Sequence, residues 1–247
     1  MISVSTLAFS NQSLDAALFE IEKICPRAEI FSDGRHDVIC GSADADLSSH
    51  SLSYSLHAPL RNMNLASAAE SSRLSALDII RKSAAFCQKH DISILVVHPG
   101  LSEDGGALSK AWEAYLKSLP ALVKIREEYG IRLCIENMPK TDFLLFQTPH
   151  EIDLTGLEFI LDIGHAQTTG SLEDFLKLPA AHYHIHDNDG LTDGHLGFGD
   201  GVIGFSMLEQ IVQKARRENA ILVAENKTTE GALKTVSALK KASASTV

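Results

Sequence analysis

The chain has 247 residues, 45% apolar and 22% charged, with a formal net charge of −10. Those values fit a globular protein with a large core and argue against a broad nucleic-acid surface, which draws on clustered Lys and Arg. Four scattered cysteines without C-x-x-C spacing, a start "MISVSTLAFSNQSLD" with no basic leader, and no apolar run of the roughly 18 residues a membrane span needs predict a soluble cytoplasmic chain with reduced thiols.

Taken in order, short runs of Val, Ile and Leu predict strands, and 3.6-residue periodicity predicts the helices between them. A strand over 2–9 leads to a helix over 13–25 with Ser13 as its N-cap, then a strand over 27–32. Residues 33–51 are too polar for a full helix and predict only a short or irregular segment. Next come a strand over 52–58, a helix over 68–90, a strand over 93–99, a helix over 109–129 and a strand over 132–138. After a stretch without periodicity follow a strand over 157–163, a helix over 171–178 capped by Ser171, and a strand over 181–187. The chain closes with a helix over 206–219 capped by Ser206, a strand over 220–226, a helix over 229–242 and a frayed "SASTV" tail. Eight nearly continuous apolar strands alternating with helices predict one α/β domain over 1–247, a (β/α)8 TIM barrel, with an open doubly wound sheet as the competing arrangement.

Function in a parallel barrel gathers at the C-terminal ends of the strands. There the sequence places His57 in "SLHAP", His98 in "VVHPG", Glu136 in "CIENM", Asp162 and His165 in "LDIGH", the alternating His182, His184 and His186 of "HYHIHDND", and Glu225 in "VAEN". Asp193 and His195 follow in "TDGHLGFGDGVIG". Any one of these has an ordinary structural reading. Successive strands ending in His, Asp or Glu do not, because a buried carboxylate cluster is costly unless cations neutralise it. Mixed imidazole and carboxylate donors suit zinc, manganese, iron or cobalt. Strand register alone does not choose between His184 and His186 as the donor. Gly199 to Gly204 formally match G-x-G-x-x-G, but they follow a polar loop and not a strand, and so predict a tight loop closing over the site.

In this order, "HAP", "HPG", "IEN", "LDIGHA", "HIHDND", "DGHLGFGDGVIG" and "AEN" resemble the xylose isomerase-like barrel superfamily, which holds sugar-phosphate isomerases and epimerases and the endonuclease IV family of abasic-site nucleases. The resemblance runs from about residue 52 to 226. It implies two alternative sites. The trinuclear zinc centre of the nucleases maps His57, His98 and Glu136 onto one metal, Glu136, Asp162, His184 and Glu225 onto a second, and His165, Asp193 and His195 onto a third. The one-metal isomerases and epimerases map Glu136, Asp162, His184 and Glu225 onto zinc or manganese, with Glu136 and Glu225 as the acid–base pair and His165 touching a substrate oxygen; His186 and Asp187 then orient the ligands. The short "APLRNMN" loop and the acidic charge favour a small-molecule substrate, a sugar or phosphorylated sugar, over DNA. Arg61, Lys140 and Lys227 are candidate anchors for an anionic substrate. A third reading is a barrel that binds metal and small molecule without turnover.

Overall fold

Strands covered on both faces need apolar side chains on both, and the short Val/Ile/Leu runs supply them. The computed structural model describes residues 1–245 except 42, 44, 45 and 104–107. Its strands are β1 (Ile2–Ser5), β2 (Arg27–Phe31), β3 (Ser53–His57), β4 (Ile94–Val97), β5 (Arg132–Glu136), β6 (Glu158–Asp162), β7 (His182–Ile185) and β8 (Ile221–Ala224). They pair in parallel in chain order, and β8 returns to β1, closing a (β/α)8 barrel. The open-sheet alternative is thereby excluded.

Outside the barrel lie α1 (Leu14–Glu22), α2 (Glu70–Lys89), α3 (Leu108–Tyr129), α4 (Ile163–Thr168), α5 (Leu172–Phe175), α6 (Phe205–Glu218) and α7 (Thr229–Ala244). Pro120 does not end α3, whose buried stripe of Tyr115, Leu119, Leu122 and Ile125 continues past it. Between β2 and β3 only two 3₁₀ turns form among the described residues, Gly34–His36 and Leu47–Ser49, so that segment is irregular as the sequence indicates; its residues 42, 44 and 45 lie outside the described set.

Several details differ from the sequence reading. The first strand stops at Ser5, whose side chain accepts from the Leu7 amide and starts a 3₁₀ turn over Thr6–Phe9. Gly204, not Ser206, caps α6. Helix α7 runs through Ser243 to Ala244, so the predicted tail is helical there, while residues 246 and 247 lie outside the described set.

The barrel interior is split. Ile94, Val96, Cys134, Ile160, Ile221 and Val223 pack as one apolar cluster on β4, β5, β6 and β8. Between and beside them, β2, β3 and β7 contribute Glu29, Ser55 and His182, all buried, with His182 in register between Ile160 and Ile221. This layer is the floor on which the strand-end residues stand.

Candidate metal centre

The parity of each strand fixes which side chains face inward, and the register sets the donors in steps: Glu136 lies beside Ile160, two residues before Asp162, Asp162 beside His184, and His184 beside Val223, two residues before Glu225. Four groups of donors result. Glu136, Asp162, His184 and Glu225 all offer an atom within 4.8 Å of one another, and all are buried. His57, His98 and Glu136 form a second group, and His165, His186, Asp193 and His195 a third. Glu29, His182 and His184 form a fourth, one layer deeper. All the sequence-predicted donors are thus brought together, with Glu136 and His184 each shared between two groups.

Asp162 ends β6 and at once caps α4: its Oδ1 accepts from the His165 amide at 2.7 Å. His165 therefore sits in the first turn of a short helix rather than on a strand end. Gly164 makes room for the ring of His186, since a Cβ there would lie 1.9 Å from its Cε1. Gly164→Ala is expected to displace His186 and lower metal uptake, checked by metal titration of the purified variant.

The imidazoles are oriented by their outer nitrogens. His57 Nδ1 lies 2.8 Å from the Ala58 carbonyl, His165 Nδ1 2.8 Å from that of Asn137, and His195 Nδ1 2.9 Å from that of Glu225. A carbonyl only accepts, so in each ring that nitrogen carries the proton and Nε2 faces the cluster. His184 is turned the other way. Its Nε2 donates to Glu29 Oε1 at 2.6 Å, leaving Nδ1 2.9 Å from Glu136 and 3.2 Å from Glu225. Tethering one nitrogen outward and aiming the other inward is the arrangement of metal-binding histidines.

The inward nitrogens meet carboxylates. His57 and His98 Nε2 lie 3.4 and 3.2 Å from Glu136 Oε2 without the alignment of a hydrogen bond. Among the described residues, Glu136 Oε2, Asp193 Oδ1 and Glu225 Oε1 are buried with no hydrogen-bond partner. None of the carboxylates Glu29, Glu136, Asp162, Asp193 and Glu225 has a described Lys or Arg side chain paired to it. A buried array of acids facing imidazole lone pairs needs either added protons or cations. The donor set fits divalent metal.

Without metal, protons fill that role. Burial alone would depress His165, but Asp162, Asp193 and Glu136 push it up to about 10. Burial likewise opposes charge on His184, yet Glu225, Glu136 and Glu29 hold it well above the usual histidine range. Burial would raise Glu136 and Glu29, and the surrounding imidazoles hold both well below the carboxylate range. A histidine with a raised folded-state pKa adds stability that is complete below its unfolded value of about 6.5 and is lost as pH rises through the folded value. The melting temperature of chelator-treated protein is therefore expected to fall as pH rises from about 7 toward 10, and added divalent metal should flatten that fall in differential scanning calorimetry.

The groups open into a cavity of about 490 Å³ at the C-terminal end of the barrel, lined by His57, His98, Glu136, His165, Asp193, His195, Glu225 and Lys227 together with apolar side chains. The proposed anchors part company here. Lys227 lines the cavity, but its Nζ already donates to the Asp193 carbonyl at 2.8 Å. Arg61 is 81% exposed, 3.9 Å from Asp33, and does not line the cavity. Lys140 is exposed and also lies outside the lining.

Two features escape a sequence reading. Glu29, flanked by Ala28 and Ile30 in mid-strand, accepts from His184, from His182 at 2.7 Å and from Ser55 at 2.8 Å. Its signal is a lone carboxylate inside an apolar run. Asp187, expected from the sequence to orient the ligands, instead gathers the amides of Gly199, Gly201 and Ile203 at 3.0–3.1 Å and so fastens the glycine loop. His186 reaches Asp162 at 3.0 Å and stacks on His195 with ring centres 4.0 Å apart, which places it among the donors of the third group.

Residues 36–242 match the xylose isomerase-like TIM barrel family. The chain belongs to that family. The uncharacterized protein MJ1614 of Methanocaldococcus jannaschii is 35% identical to it over 229 residues, covering 91% of this chain and 90% of its own. A crystal structure of a D-tagatose 3-epimerase-like protein superposes with a TM-score of 0.87 at 28% identity, covering 98% of this chain and 97% of that one. A Thermus thermophilus protein soaked with zinc chloride gives 0.76 at 21% identity over 100% and 98% of the two chains. Endonuclease IV from the same organism gives 0.68 at 14% over 99% of each, a likeness of fold alone. The xylose isomerase-like barrel thus has structural neighbours of both epimerase and nuclease type. No described helix is long and apolar enough to cross a membrane.

Proposed function

We propose that this xylose isomerase-like barrel is a divalent-metal-dependent isomerase or epimerase of a small hydroxy-carbonyl compound of the sugar class. The observation that carries the reading is the buried convergence of Glu136, Asp162, His184 and Glu225, two of whose carboxylates keep an oxygen without a hydrogen bond. Zinc or manganese suits those oxygen and nitrogen donors. A cation bound there would polarise a carbonyl and its neighbouring hydroxyl. Glu136 and Glu225 then serve as the pair that removes the proton from the carbon beside the carbonyl and returns one. His165, its Nδ1 tied to the Asn137 carbonyl, presents Nε2 toward a substrate oxygen. Likeness to a D-tagatose 3-epimerase-like protein supports this chemistry.

A second reading, hydrolysis of a phosphate ester with up to three zinc ions, is favoured by the neighbouring groups His57/His98/Glu136 and His165/His186/Asp193/His195. Duplex DNA fits poorly: the net charge is −10, and among the described residues Lys227 is the lone Lys or Arg lining the cavity. Elemental analysis of purified protein, paired with NMR of ketoses incubated in D₂O, tests the choice. One tightly held metal and deuterium incorporation beside the carbonyl are expected. Three tight zincs, cleavage of abasic-site DNA and no incorporation would sink the isomerase reading.

A further inference from the structure

We propose that the site selects a substrate without phosphate, whose metal-binding hydroxy-carbonyl end continues into an apolar or deoxygenated portion. This rests on the metal-dependent reading above and names its substrate class.

The cavity is two-sided. Its polar wall, His165, Asp193, His195, Glu225 and Lys227, comes from the segments after β6, β7 and β8. Its other wall comes from the segments after β1, β3, β4 and β5, where Leu7, Leu60, Met63, Leu101, Met138 and Leu144 line the cavity beside the strand-end donors His57, His98 and Glu136. That wall is built, not incidental. Leu101 and Leu144 form an antiparallel bridge, the Ser102 amide donates to the Phe143 carbonyl at 2.7 Å, and the Leu145 amide to that of Gly100 at 3.3 Å. The two loops are thereby stitched into a flap that holds Leu101 and Leu144 beside the donors.

Beyond His57 and His98, which flank Glu136 at the strand ends, little in this wall can receive a hydroxyl. The amide side chain of Asn64, between Met63 and Leu65, is saturated: its Oδ1 accepts from the amides of Ala66 and Leu101, and its Nδ2 donates to the Leu101 carbonyl and to Glu103. A polyol chain laid there would bury hydroxyls without partners, whereas methylene or methyl groups would gain from leaving water. A phosphate would fare worse. Lys227 is the one described Lys or Arg in the lining, it is engaged by the Asp193 carbonyl, and the acids Asp193 and Glu225 share its wall.

Hydroxamates bind metal through adjacent oxygens as a hydroxy-carbonyl does, so they separate the two walls. Affinities of metal-loaded protein for acetohydroxamate, hexanohydroxamate, a four-carbon polyhydroxy hydroxamate and a phosphonate-bearing hydroxamate would be measured by calorimetry. Hexanohydroxamate is expected to bind at least about tenfold more tightly than acetohydroxamate, with the polyhydroxy and phosphonate compounds behind it. Leu144→Asn, at a partly exposed position, should erase that gain. Tighter binding of the polyhydroxy or phosphonate compound, or no gain from the alkyl chain, overturns the inference alone. Failure of all four to bind overturns the metal-dependent reading and the inference with it.

Discussion

Glu136→Gln is expected to cut turnover by roughly 10²–10⁴-fold and to weaken metal retention at the same time. No other described residue stands in two of the groups that face the cavity: Glu136 lies 2.9 Å from His184, 3.4 Å from His57 and 3.2 Å from His98. An amide in its place removes the negative charge that all three imidazoles face. Glu225→Gln should behave differently. Glu225 approaches His184 at 3.2 Å and His195 at 3.8 Å and, unlike Glu136, stands in only one of the donor groups. If the two glutamates work on opposite faces of the substrate carbon, the Glu225 variant keeps deuterium exchange from one epimer and loses it from the other. Exchange followed separately from each epimer checks this; equal loss from both would show that the two carboxylates do not divide the proton transfer.

Replacement of Glu29 should be as damaging although it does not line the cavity. Glu29→Leu leaves His182 Nε2, His184 Nε2 and the Ser55 hydroxyl without their buried acceptor, at an expected cost of about 3–5 kcal/mol. Glu29→Gln is the more informative change. Its single amide oxygen can accept from only one of the two histidines, so the His184 tautomer is no longer imposed and a proton can settle on Nδ1, the atom aimed at the donors. Metal affinity is expected to fall about 10–100-fold, measured by competition with a chelator. Denaturant unfolding of the metal-free variant gives the comparison: a loss of stability with unchanged metal affinity would reduce Glu29 to a packing role.

What the sequence reveals and what it conceals follow from different physics. Val, Ile and Leu recur in strands buried on both faces, so all of the observed strands fall inside the predicted runs, and their donors lie at the ends of β3, β5, β6 and β7 or just past β4 and β8. The strand ends overshoot where side-chain hydrogen bonds, not apolar pattern, decide: Ser5 turns β1 into a 3₁₀ turn, and Asp162 starts α4. Helix α4 has only six residues, too few for a periodic signature. Glu29 escapes a reading of strand ends because it lies in the layer below, where a carboxylate has meaning only through its partners on β3 and β7. Nearness to strand ends groups Arg61 and Lys140 with Lys227, but loop conformation decides which cations reach the cavity, and one strand residue more or less does not fix that.

Three asparagines each follow an acid at the barrel mouth. Asn137 donates to the Asp162 carbonyl and accepts from its amide, Asn188 donates to the Gly164 carbonyl, and Asn226 to the Leu196 carbonyl. These tethers are neutral and buried. Ionic strength and protonation, which alter the electrostatic balance among the histidines and acids, have little purchase on them. The mouth of the barrel is a frame held by uncharged fasteners around a highly charged interior, so ions and protons can enter and leave while the frame stays in place.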